Sequence, residues 1–147
     1  MSEECEFCRE KFADTVLKEY RHWQVQLFLN QYYLGRTLIK LKRHAVDLNE
    51  LEEEERQELF DKVLPEVEEA LDQLFEPDLY NQATLGNDCR HFHLHLIPRY
   101  SEERSFQGVV FRDENWNSHY KPYPEDHKIS QKTFDNLKKK MINRLDQ

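Results

Sequence analysis

Glycine and proline are scarce in this chain, with three Gly and five Pro among 147 residues. Long apolar runs are missing altogether. None approaches the roughly 18 residues that a membrane-spanning helix needs, so a membrane protein is excluded. Hydrophobic residues make up only 38%, against an average of roughly 45–50%. That shortage does not amount to disorder, because nine Phe, seven Tyr and two Trp can still furnish a core. Cysteines number three, too few and of the wrong parity for a disulfide framework. Positive charge is short as well. Twenty-one basic residues against 29 acidic leave a net charge of -8, which repels phosphate backbones and disfavours general nucleic-acid binding. The opening MSEECEFCRE has neither an apolar core nor a basic start, so no targeting signal is expected and the expected compartment is the cytoplasm. The length fits one domain spanning residues 1–147.

What is present alternates. In Trp23-Gln-Val25-Gln-Leu27 apolar side chains take every second place, the pattern of a strand with one buried face. Thr37 to Lys42 reads as its antiparallel partner after a turn at Tyr32 to Gly35. A long helix follows, with Asn49 as its expected cap and Glu52 as the capping-box partner. Pro65 lies inside it, and a kink or break is expected there. Leu79 to Leu85 and Cys89 to Ile97 read as strands, the second stopping at Pro98. The stretch from Tyr100 to Lys128 is irregular, with a short strand at Val109 to Phe111, and a last helix starts near Ser130. The sum is α+β.

Three histidines form one feature. In His91-Phe-His93-Leu-His95-Leu-Ile97 imidazoles alternate with apolar residues, so a strand sends Phe92, Leu94 and Leu96 to one face and the three rings to the other. Three aligned imidazoles have little structural use, because Thr or Val would fit at lower polar cost. Two chemistries suit them: a metal site, or nucleophilic attack by one neutral imidazole on phosphorus.

The pattern His-φ-His-φ-His-φ-φ, where φ is apolar, resembles the signature of the histidine triad (HIT) family of nucleotide hydrolases and transferases. So do Gly35-Arg-Thr-Leu-Ile, Leu41-Lys-Arg-His44, Asp47-Leu-Asn-Glu-Leu, Gly86-Asn87 and Ile97-Pro98-Arg99-Tyr100. The likeness runs from about residue 5 to residue 100, and the C-terminal loop and helix, 101–147, add little. It implies a HIT-like, mostly antiparallel five-stranded sheet with one long helix and a C-terminal helix. It implies a homodimer acting on adenosine phosphates, such as diadenosine polyphosphates or adenylyl amidates. His93 would be the nucleophile, giving a nucleotidyl-histidine intermediate, and His95 would help the leaving group depart. Asn87 falls where many members touch the phosphate, and Asn30 near the ribose contact. Arg99, beside the triad, is a candidate for phosphate neutralisation, and Trp116 either covers the base or anchors its loop.

Cys5-x-x-Cys8 looks like the cysteine pair of zinc-containing members, which adds His44 and His91 as ligands of a structural Cys2His2 zinc and leaves catalysis without a cofactor. One position departs from the family. Many members carry His directly after the glycine, and here it is Arg36. An arginine can hold a phosphate oxygen, yet it cannot act as a neutral partner of the nucleophile. Two rival readings therefore stand beside the hydrolase: a metal-dependent hydrolase with its ion on the aligned histidines, and a non-catalytic nucleotide-binding module.

Overall fold

Alternation does build the sheet. In the computed structural model, which describes residues 5–10, 12–121, 124 and 127–146, five strands run β1 (Val16–Glu19), β2 (Trp23–Leu27), β3 (Thr37–Leu41), β4 (Leu79–Ala83) and β5 (His93–Arg99). Their order across the sheet is β1-β2-β3-β5-β4, and every neighbouring pair is antiparallel. The architecture is the expected α+β. A separate hairpin joins β6 (Arg104–Phe106) to β7 (Val109–Phe111) through Gln107 and Gly108, both at positive φ, as a tight hairpin turn requires. Only β7 was legible in advance. Residues 122, 123, 125 and 126 of the irregular stretch, and residues 1–4 of the opening, lie outside the described residues.

Strand β5 differs from expectation at both ends. It starts at His93 rather than Cys89 and runs through Pro98 to Arg99. Pairing with β3 ends at Thr37 and Leu96, so at Pro98, opposite Tyr80 of β4, the strand has a neighbour on one side only, a position that tolerates proline.

The long helix also corrects two expectations. It does not break at Pro65. Instead α1 (Glu53–Glu58) passes through one wide π-turn, Leu59–Val63, into α2 (Leu64–Phe75), with the proline in the first turn after it. Widening the turn just ahead of the ring relieves the clash and the missing N–H that proline brings to a regular helix. Asn49 is not the cap. Asp47 caps a short 3-10 turn, Leu48–Glu50, and Glu52 precedes α1, its N–H donating to Glu55 Oε1 at 2.7 Å.

One face of the sheet carries Trp23, Val25, Ile39, Leu41, Leu94 and Leu96 against the buried stripe of α2. Helix α3 (Gln131–Leu145), capped by Ser130, adds Phe134, Leu137, Met141 and Leu145 to the same core, as expected. Gly35 fits tightly beneath. Its φ is +87°, and an added Cβ would come within 2.6 Å of Leu71 Cδ2. Among the described residues no helix is long and apolar enough to cross a membrane.

Candidate functional site

The other face of the sheet holds the chemistry. Register places Gln24, Lys40 and His93 in one cross-strand row and Gln26, Leu38 and His95 in the next. The segment around Cys5, Phe7 and Phe12 covers one end of this face. Lys40 Nζ donates to the Phe7 carbonyl at 3.0 Å and pins that segment down.

The three imidazoles do not converge. His91 turns toward the cysteines, while His93 and His95 stay together with ring centroids 5.1 Å apart. His93 Nδ1 lies 2.7 Å from the His91 carbonyl. A carbonyl only accepts, so the proton sits on Nδ1 and the lone pair on Nε2. Burial lowers the pKa of this ring and outweighs the carbonyl bond, which raises it, so at neutral pH it is uncharged. His95 is arranged the other way. The Arg36 guanidinium, a donor only, stands 2.9 Å from His95 Nδ1, which places the His95 proton on Nε2. Burial first, and then the charge of Arg36, push the His95 pKa down to about 3.

Arg36 is 4% exposed. Its guanidinium carbon lies 4.3 Å above the Phe28 ring and 5.6 Å from the Tyr120 ring, and Phe28 packs edge-on against His95.

Beside this pair, Cys5 Sγ, Cys8 Sγ, His44 Nδ1 and His91 Nδ1 form a group within 4.8 Å of one another. The separations are 3.4 Å from Cys5 to His91, 3.3 Å from Cys8 to His44, 3.5 Å from Cys8 to His91 and 3.1 Å between the two imidazoles. A tetrahedral zinc with bonds of about 2.0–2.3 Å puts its ligands roughly 3.3–3.8 Å apart. The donor set fits that ion. His91 Nε2 donates to the Leu41 carbonyl at 2.5 Å, which leaves Nδ1 its lone pair. Burial pushes the Cys5 thiol up, but the Cys8 N–H and side chain outweigh it and hold the thiol below its usual value, favouring thiolate.

Two hollows adjoin the histidines. One of about 130 Å³ is bounded by Asp47, Thr84, Gly86, His91 and His93. The other, about 350 Å³, lies beyond Phe28 among Phe12, Leu27, Leu29 and Leu38, with Gln26 and Asn30 in its wall. Gln26 belongs to a directed chain. Its Nε2 donates to Gln24 Oε1 at 2.6 Å, and Gln24 Nε2 donates to Glu19 Oε1 at 2.5 Å. Burial raises the Glu19 pKa, but Lys42 and Gln24 outweigh it and keep Glu19 an acceptor, which leaves the buried Gln26 Oε1 as an acceptor without a hydrogen-bond partner among the described residues.

Of the residues singled out from sequence, Cys5, Cys8, His44, His91, His93, His95 and Arg36 come together. Asn30 borders the larger hollow, with both ends of its amide used: Oδ1 accepts from Tyr32 N–H and Nδ2 donates to the Pro124 carbonyl. Asn87 is exposed beside Gly86. Arg99 is elsewhere. It is 1% exposed, forks onto Asp113 at 2.6 and 3.1 Å, and also binds Asn81, Ser118 and Asn115, so it holds the 113–118 loop rather than an incoming anion. Trp116 sits in that loop and borders neither hollow. Cys89 precedes β5, which begins at His93, and packs with Cys5, Phe7 and Leu38 beside the metal-ligand group. Phe7, Gln26, Phe28 and Tyr120 were missed. The polar alternation of Gln24 and Gln26 on an otherwise apolar strand was the one signal available.

A family model described as HIT domain matches residues 14–102. The curated protein "Protein hit" of Bacillus subtilis (strain 168) is 31% identical over 134 residues, 85% of this chain and 88% of that protein. Among solved structures, a hypothetical histidine triad nucleotide-binding protein of Sulfolobus tokodaii superposes with a TM-score of 0.68 at 20% identity, over 97% of this chain and 92% of the other. A Zn-bound histidine triad family protein of Mycobacterium smegmatis gives 0.66 at 18% identity, over 97% and 94%.

Proposed function

The chain belongs to the HIT domain family, and on that footing we propose that it is a nucleotide-phosphate hydrolase or nucleotidyl transferase working through His93. The observation that carries this reading is the bond from His93 Nδ1–H to the His91 carbonyl, which aims a neutral Nε2 lone pair away from the backbone. Attack on the α-phosphorus by that nitrogen divides one hard displacement into two easier ones. His95 Nε2–H is a donor for the phosphate oxygens. The apolar hollow beyond Phe28 suits a nucleobase and the smaller hollow at His93 suits the leaving side. Asn30, which lines the larger hollow, and Asn87, next in sequence to Gly86 of the smaller one, are the candidates for ribose and phosphate contacts. The histidine triad nucleotide-binding protein of Sulfolobus tokodaii agrees with a nucleotide ligand.

Zinc is the ion we assign to Cys5, Cys8, His44 and His91. Closed by four protein ligands, it would supply structural cross-linking. The Zn-bound Mycobacterium smegmatis relative agrees with this. A homodimer belongs to the same reading, since β4 is an outer strand with Leu79 exposed. The metal-dependent rival fits poorly, because the three rings do not meet at one point and a guanidinium faces His95.

The test is incubation with adenosine polyphosphates and adenylyl amidates, comparing the wild type with His93→Ala. We expect turnover, an adenylate on His93 by mass spectrometry, and activity that survives brief chelation. Unchanged turnover in His93→Ala would remove the mechanism. Activity lost with chelator and restored by added ion would favour the metal-dependent rival, and binding of AMP without any turnover would favour the binding module.

A further inference from the structure

We propose that Arg36, as a positioning residue acting through His95, confines this site to leaving groups that depart without a proton, so that its substrates are phosphoanhydrides and not phosphoramidates. The inference rests on the hydrolase reading and narrows its substrate class.

The argument starts from the 2.9 Å contact between the Arg36 guanidinium and His95 Nδ1. A guanidinium has no acceptor and keeps its charge throughout the working pH range. While the contact lasts, Nδ1 cannot carry a proton, and His95 holds a single proton on Nε2. The contact is well held: Arg36 is buried, lies over Phe28 and approaches Tyr120, and Phe28 also packs on the His95 ring. On the neighbouring strands the residues opposite His95 are Leu38 and Ala83, both uncharged. Among the described residues, the charge that acts on this ring at neutral pH is that of Arg36, and it opposes protonation. His95 therefore offers a hydrogen bond and has no proton to give away.

That distinction sorts leaving groups. With an anhydride, the His93 Nε2 lone pair forms an N–P bond, the bridging P–O bond breaks, and its electron pair leaves on the phosphate oxygen. The phosphate departs as an anion, hydrogen-bonded by His95 Nε2–H. Water then attacks phosphorus, the N–P bond breaks with its pair returning to His93, and the proton goes to bulk water. With a phosphoramidate, the electron pair would have to leave on nitrogen. An amine leaves only when protonated, and a neutral imidazole would have to become an anion beside the substrate to supply that proton. General acid catalysis contributes roughly 10²–10⁴-fold, and its absence falls on the amidate alone.

Diadenosine tetraphosphate and adenosine 5′-phosphoramidate present the same adenylyl group with the two kinds of leaving group. We expect kcat/KM for the amidate to be lower by about 100-fold or more in the wild type. Nitrogen NMR of labelled wild-type protein should show His95 unprotonated at Nδ1 near neutral pH. Arg36→His should raise the ratio of amidate to anhydride turnover, whereas Arg36→Lys, which keeps a charged donor, should leave it low. Comparable amidate turnover in the wild type, or a proton on His95 Nδ1, would overturn the proposal, and neither measurement depends on a variant folding. An Arg36→His protein that turns over the anhydride with an unchanged ratio would overturn it too. If neither substrate reacts and no adenylate forms on His93, the hydrolase reading itself is lost and this inference with it. If the anhydride reacts and the ratio is wrong, only the inference falls.

Discussion

Phe7 packs edge-on against His93, ring centroid to ring centroid 5.0 Å apart. Because Phe7 lies between Cys5 and Cys8, the segment that carries two of the proposed metal ligands also presses on the proposed nucleophile. Replacing Phe7 by Leu should keep the metal and lower kcat by about tenfold, the scale expected when a reacting group is slightly misplaced. Metal content by mass spectrometry alongside steady-state kinetics checks both halves.

The metal reading has its own test. Purified protein should carry zinc, and Cys8→Ser should lose it and melt at a lower temperature, since a folded-state ligand stabilises by mass action. Equal melting temperatures with and without prolonged chelation would argue against a structural ion.

The Arg99–Asp113 pair is buried on both sides, at 1% exposure each. Asp113→Ala leaves a buried guanidinium short of its carboxylate, and such losses run to about 3–5 kcal/mol. Urea denaturation should show it, while zinc content by mass spectrometry matches that of the wild type.

Glu55 gives a pH signature. Burial raises its carboxyl pKa, but the Arg43 side chain and the Glu52 N–H outweigh burial and hold it below the usual value. A group lowered on folding stabilises above its unfolded pKa of about 4.3, and that contribution disappears as pH falls through the folded value. Glu55→Gln should therefore be less stable than the wild type at pH 7, with the gap closing toward pH 3 in parallel melts.

Gly35→Ala meets two obstacles, a φ of +87° and Leu71 Cδ2 at 2.6 Å from the new methyl. A loss of about 1–3 kcal/mol is expected. The same chemical denaturation series can rank it against Asp113→Ala.

Local pattern made the sheet readable. Alternation located β2, β3 and the histidine face, and stripe spacing located α3. The helix entrance was ambiguous, because Asp47 with Glu50, Asn49 with Glu52 and Glu52 with Glu55 all satisfy the three-residue capping rule, and a cap is worth only about 1 kcal/mol. Arg99 looked like an anion ligand because its partner, Asp113, arrives from a loop with no periodicity. The Arg36–His95 bond depends on β3 lying beside β5, a fact of register between segments 59 residues apart. The ligand quartet needed the family resemblance, since Cys5-x-x-Cys8 alone does not say which histidines complete it.

Leu59, Val63, Val67, Leu71 and Phe75 are all buried, one at every fourth residue. A regular α-helix advances about 100° per residue, so a strict four-residue repeat would creep some 160° around the cylinder over that span. The wide turn at Leu59–Val63 takes back roughly one residue of that drift. It works as a vernier, keeping two stretches of different phase aligned on one sheet. Closing that turn to regular α geometry with every residue kept would swing Val67, Leu71 and Phe75 by about 100° toward solvent and uncover the back of the strand that carries the histidines.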